Sequence, residues 1–207
     1  MLLCFPGWAC QRSLCSWRGK EARVVGHREQ WHALEKGGAD GSWIPEGDWE
    51  MLTWSMGTWT GLALSELWEK NPPKSWLALS PFLKLSGDGC KVKDEELKAL
   101  LSSFKKNPSG TLGMFEKRQG GKAEWTEGLE ETDYDLLGRT LEALLQPCPW
   151  PLAGVAAKVS VKIELGLKDR LVGEEQSRAF ASLFEGAEVE IFQDRNHALF
   201  YEDDREF

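Results

Sequence analysis

A chain of 207 residues, 42% hydrophobic and 28% charged, suits one globular domain with a sizeable core and room for a small subdomain. A formal net charge of −8 argues against general nucleic-acid binding, and no apolar run approaches the roughly 20 residues that span a bilayer. Met1-Leu2-Leu3-Cys4-Phe5 is too short and lacks the basic start of a signal peptide, so a cytoplasmic location is expected; five cysteines are too few and too scattered for a disulfide scaffold.

In chain order, Leu2 to Phe5 reads as a short buried strand, and Pro6-Gly7-Trp8 turns out of it. Gln11 to Trp17 is expected to be a short helix and Glu21 to Val25 a second strand. Trp31 to Glu50 is glycine-rich, contains Pro45 and shows little periodicity. His27 and His32 fall here or just before and are expected to be structural. Their spacing to Cys4, Cys10 and Cys15 matches no compact zinc pattern, so no metal site is expected.

Trp49 to Trp54 is an apolar run of strand length that meets Ser55-Met56-Gly57. Helical spacing begins at once, with Trp59, Leu62, Ala63 and Leu67 repeating at three and four residues. Lys74 to Ser80 is the next strand, and from Pro81 the pattern changes. Asp94 to Lys106 is amphipathic, with acidic residues at its start; Leu112 to Arg118 and Asp133 to Leu145 are further helical pieces. Pro147, Pro149 and Pro151 end this insertion. Val159 to Leu165 alternates as a strand, followed by the loop Gly166 to Val172. A helical segment from Glu174 to Phe184, a strand from Ala187 to Phe192, and Gln193-Asp194-Arg195-Asn196-His197 complete the pattern. The expected units are 1–80 and 151–207 as one α/β core, with 81–150 as a helical lid.

A serine between a strand end and a helix start sits on a tight turn that pushes its hydroxyl outward, beside unpaired helix N–H groups suited to an oxyanion. Ser55 has that position, although Thr53 stands where the Gly-x-Ser-x-Gly pattern has its first glycine. Asp169 and His197 each follow a predicted strand, so Ser55, Asp169 and His197 occur in the order required of a nucleophile, an orienting acid and a base. The backbone N–H groups of Trp8 and Met56 are the candidate oxyanion donors.

Taken together, the Phe-Pro-Gly-Trp loop, Trp54-Ser55-Met56-Gly57, the Ser80-Pro81-Phe82 exit, Gly166-Leu167-Lys168-Asp169 and Asn196-His197-Ala198-Leu199-Phe200 resemble the pimeloyl-acyl-carrier-protein methyl ester esterases of biotin synthesis. These are α/β hydrolases of the BioH kind; the short front is similar to the compact BioG type. The resemblance implies an α/β-hydrolase fold, here with a reduced, mostly parallel sheet of about six strands, helices on both faces and a helical lid. About two strands of a full hydrolase sheet are missing ahead of the oxyanion loop.

The resemblance further implies hydrolysis of the methyl ester of a pimeloyl chain on acyl carrier protein, with no metal or organic cofactor. Residues 82–122 hold nine Lys/Arg against five Asp/Glu, a basic stretch on an acidic chain that could steer an acidic partner. Lys105, Lys106, Lys117 and Arg118 are the candidates for docking the carrier. A small-acyl carboxylesterase or thioesterase indifferent to carrier protein, and a non-catalytic protein of the same fold, remain open alternatives at this point.

Overall fold

Short apolar runs punctuated by glycine and proline become strands, and the longer amphipathic stretches become helices. The computed structural model describes residues 1–10, 16–36, 41–68, 71–118, 126, 128–150 and 159–199. The strands are β1 (Leu2–Phe5), β2 (Ser16–Trp17), β3 (Lys20–Val24), β4 (Glu50–Trp54), β5 (Ser75–Leu79), β6 (Ser160–Gly166) and β7 (Glu188–Phe192). The helices are α1 (His27–Glu35), α2 (Gly57–Leu64), α3 (Asp94–Lys106), α4 (Pro108–Arg118), α5 (Tyr134–Ala143) and α6 (Glu174–Ala181).

One sheet runs in the order β2-β3-β1-β4-β5-β6-β7. All neighbours from β3 to β7 are parallel, and β2 alone is antiparallel. The reduced, mostly parallel sheet expected from the sequence is thus present, with β2 as a seventh, two-residue edge strand. Side chains alternate across it. Leu3, Phe5, Met51, Trp76, Ala78, Val161 and Ile163 pack with Leu62 of α2 and Phe180 of α6. Leu2, Cys4, Leu52, Trp54 and Leu79 pack with Trp17, Ala198 and Leu199. On that second face the fully buried Glu164 accepts two bonds from Arg18, at 3.0 and 3.1 Å, and one from Lys162 at 3.1 Å.

Two expectations are corrected. Of the helix expected over Gln11 to Trp17, residues 11–15 lie outside the described residues, and Ser16–Trp17 form β2. Arg18 and Gly19 both have positive φ, 47° and 74°, which fits the tight turn of a two-residue hairpin. The stretch without periodicity holds a helix, α1, at its start. Its buried face is His27, Gln30, Trp31 and Leu34, so polar residues occupy half of the stripe that apolar spacing would have marked. Gln30 donates to Pro6 O and Val25 O and accepts from Thr60 Oγ1, which satisfies its amide in the core.

Helices α3 to α5 lie in the chain between β5 and β6. Leu97, Leu101, Phe104, Leu112, Leu137 and Leu141 bury their apolar stripes against Trp8, Met56, Trp59 and Phe82 beside the carboxyl ends of the strands. Two polar ties fix α5 to the core: Arg28 forks onto Asp133 with both bonds at 2.6 Å, and His27 Nε2 lies 3.3 Å from Thr140 Oγ1. The Thr140 hydroxyl gives its proton to Leu136 O, so His27 Nε2 is the donor toward Thr140. Among the described residues no helix is long and apolar enough to cross a membrane.

Burial pushes the His27 imidazole down to about 3; the nearby Asp133 charge opposes that shift and His32 adds to it. The unfolded chain therefore binds a proton below about 6.5 that the folded protein refuses, and stability falls as pH drops from there toward 3. Between pH 6.5 and 5, unfolding free energy from urea titrations should drop by about 2 kcal/mol. His27→Gln should flatten that slope. An unchanged slope would remove His27 as its source.

Candidate active site

The site is built where backbones approach more closely than side chains normally allow. A Cβ on Gly57 would lie 2.0 Å from Phe5 O, and one on Gly7 would lie 3.2 Å from Ser55 Cβ. These two glycines let the turn after β4 nest under the loop after β1. Ser55 itself has φ +53°, a conformation that costs a non-glycine residue about 1–3 kcal/mol and clusters at functional sites. Its N–H donates to Leu79 O at 2.8 Å, which holds the turn against β5.

Thr53 is accommodated because the helix supplies the missing space. A Cβ on Gly61 would lie 2.6 Å from Trp76 Cζ2 and 3.2 Å from Thr53 Cγ2, so glycine on α2 makes room for the Trp76 ring and for threonine on β4 together. The Thr53 hydroxyl accepts from the Trp76 indole at 2.8 Å.

Gly166 performs the same service at the end of β6, where an added Cβ would lie 2.2 Å from Arg195 O. The loops carrying Asp169 and His197 are thereby laid side by side. Leu167 N–H donates to Phe192 O and Lys168 N–H to Arg195 O, each at 2.9 Å. The Trp54 indole then donates to His197 O at 2.9 Å, anchoring the histidine from the strand that precedes Ser55.

The three predicted side chains meet. His197 Nε2 is 3.0 Å from Ser55 Oγ, and His197 Nδ1 is 2.7 Å from Asp169 Oδ2. Asp169 and His197 are almost fully buried, and Ser55 is 8% exposed. Burial alone would raise the Asp169 carboxyl. The charge and hydrogen bond of His197, with the N–H groups of Val172 and Leu171 on Oδ1 at 3.0 and 2.8 Å, hold it below the ordinary carboxylate value. An ionised carboxylate only accepts, so Nδ1 carries a proton, and in the neutral form of the ring Nε2 turns its lone pair to the serine.

Trp8 and Met56 border the same cavity as Ser55. Among the described residues neither backbone N–H has a backbone acceptor, and Met56 caps the N-terminus of α2. A hydrogen bond from the Trp8 indole to Leu137 O at 3.2 Å and edge-on contacts with Phe104 and Phe115 fix that loop. The cavity, about 360 Å³, is walled mainly by Phe82, Leu85, Leu97, Phe115 and Leu141, and Arg118 also reaches it. Lys105 lies elsewhere, beside Gly138 and Arg139, and is paired with Glu142. Lys106 and Lys117 are exposed. No group of three or more His, Cys, Asp or Glu suited to a metal occurs among the described residues.

Two residues escaped the sequence. Lys91 Nζ donates to Asp169 O at 2.6 Å and to Leu167 O at 3.4 Å. Gln176 accepts from Gly173 N at 2.8 Å while donating to Lys84 O at 2.8 Å. Both fasten the acid loop to the segment that opens the helical insertion. Their contacts are with backbone carbonyls and N–H groups, which leave no mark in residue identity.

No family model and no curated protein matches the chain by sequence. Solved structures do match by shape. BioG from Haemophilus influenzae is 17% identical, with 97% of this chain and 90% of that one covered at a TM-score of 0.65. The esterase EaEST from Exiguobacterium antarcticum is 13% identical, with 100% and 88% covered at 0.66. The enol-lactonase from Burkholderia xenovorans LB400 is 16% identical, with 98% and 86% covered at 0.59. The fold is that of the α/β hydrolases.

Lys91→Met removes the ammonium that grips the Asp169 loop while leaving the apolar stem in place. Covalent labelling of Ser55 by a fluorophosphonate should slow about tenfold, and the thermal midpoint should move by no more than about 2 °C. Unaltered labelling would show that the loop keeps its geometry without Lys91.

Proposed function

We propose that this chain is a serine hydrolase of carboxylic esters, with Ser55, His197 and Asp169 as its catalytic residues. The single supporting observation is the unbroken line from a strained serine through a buried imidazole to an ionised carboxylate, opening onto an apolar cavity. The matching structures include proteins named as esterases, which agrees with this reading.

Ser55 Oγ attacks the ester carbonyl carbon while its proton passes to His197 Nε2. The carbonyl oxygen takes the negative charge and is met by the N–H groups of Trp8 and Met56, each such donor being worth roughly 3 kcal/mol. His197 then protonates the departing alkoxide, leaving an acyl-serine. A water molecule gives its proton to the same nitrogen as it attacks, and collapse of the second tetrahedral intermediate returns the proton to Ser55 and frees the acid. Asp169 stays ionised throughout, holding the imidazole in the useful tautomer.

The finer reading is that the ester is the methyl ester of a pimeloyl chain carried on acyl carrier protein, with residues 81–150 as a lid. The likeness to BioG in shape supports it, together with the basic balance of residues 82–122. Lys106, Lys117 and Arg118 are the exposed cations available to an acidic carrier, and Lys105 would have to leave Glu142 to join them. A general small-acyl esterase without carrier preference is the second reading, favoured by the likeness to the Exiguobacterium esterase.

Ser55→Ala should lower turnover of a short p-nitrophenyl ester by at least about 10⁴-fold with the fold retained. Full activity in that variant would end the assignment. Reversing the charges of Lys106 and Lys117 should slow hydrolysis of the carrier-linked methyl ester far more than that of the free ester. Equal slowing of both would count against docking.

A further inference from the structure

Two guanidinium groups border the otherwise mainly apolar cavity that holds Ser55. Arg118 ends α4 of the insertion, and Arg170 follows Asp169 in the loop after β6, so they reach the cavity from different parts of the fold. Both residues are exposed. Among the described residues neither has a carboxylate partner. Four other arginines do, Arg18 with Glu164, Arg28 with Asp133, Arg139 with Glu35 and Arg178 with Glu174, whereas the exposed Arg23 pairs with none among the described residues. Among the described residues the one carboxylate that borders the cavity, Glu96, is committed to its own helix, where it accepts the Lys93 N–H at 2.9 Å.

An unpaired arginine on an open surface is unremarkable. Two of them bordering one mainly apolar cavity offer the planar, charge-assisted donors that an anion takes, and a low-polarity wall beside them strengthens the attraction. The apolar wall has the character that suits an acyl chain, and Ser55 borders the same cavity as both arginines.

We infer that the cavity selects esters whose non-reacting end is anionic, with Arg118 and Arg170 gripping that end while Ser55 works on the other. The anion is the free carboxylate of a dicarboxylic half-ester or the phosphate of a carrier arm. This rests on the serine-esterase reading and adds to it a substrate class: esters with a distal negative charge.

Monomethyl and dimethyl pimelate present the same methyl ester and differ in charge at the far end. Wild-type kcat/KM should favour the monomethyl ester at least tenfold, equivalent to about 1.4 kcal/mol. In the variant carrying both Arg118→Gln and Arg170→Gln that ratio should collapse to about one, and added salt should erode it in the wild type. Methyl pimeloyl-pantetheine with and without its 4′-phosphate separates the two sources. A preference for the monomethyl ester marks the carboxylate, and a preference only for the phosphorylated thioester marks the phosphate. No preference for either charged form, or a preference that survives in the double variant, overturns the inference.

Failure of the esterase reading is seen separately. The Ser55→Ala protein should still bind monomethyl pimelate at least tenfold more tightly than the dimethyl ester, read by tryptophan fluorescence since Trp8 borders the cavity. Binding without wild-type turnover of any of these esters would sink the reaction and keep the anion site. Turnover with no charge preference would do the reverse.

Discussion

The left-handed backbone at Ser55 is the constraint on which the rest depends. A serine does not adopt φ +53° unless its surroundings leave no alternative. Here its N–H is held by Leu79 O, the following glycine is wedged under Phe5 O, and the preceding loop presses Gly7 against its Cβ. Three strands, β1, β4 and β5, therefore converge on one residue. Ser80, at the end of the neighbouring strand, has φ +45°, and its buried hydroxyl finds no partner among the described residues. Strain is thus concentrated at adjacent carboxyl ends of the central strands, where doubly wound sheets place their ligands.

Much of this was legible in the residues because the triad is written in local punctuation. Each member follows directly on a strand, and the boundaries of α3 needed only an acidic first turn and a leucine stripe. What escaped was structure carried by the backbone or by buried polar groups. Helix α1 hides its inward face behind His27 and Gln30, whose value lies in hydrogen bonds rather than in apolar spacing. Strand β2 has two residues, too few for any period to register. The tolerance of Thr53 could not be seen from β4 alone, since the compensating Gly61 lies on another element.

The two faces of the sheet solve burial differently. One is sealed by aromatic packing in which Trp76 meets Phe180 and Phe184 edge-on at 5.2 and 5.3 Å. The other places a fully buried carboxylate, Glu164, under an arginine and a lysine, and Lys162 passes the charge on to Glu190 at 2.6 Å. Such a cluster adds little net stability compared with a well-packed apolar substitute, but removing one member strands the others. It ties the β2 turn to β6 by direction as well as by attraction, since the fork of Arg18 fits only one orientation of the carboxylate.

The hydrogen bond from the Trp8 indole to Leu137 O has a wider meaning when set beside the grip of Lys91 on Asp169 O. One joins α5 to the loop after β1; the other joins Lys91, just ahead of α3, to the backbone carbonyl of the residue whose carboxylate bonds the His197 imidazole. The helical stretch is therefore tied on both sides of Ser55, to the loop that carries Trp8 and to the loop that carries Asp169, so a substitution that loosens either tie acts on the site from outside it.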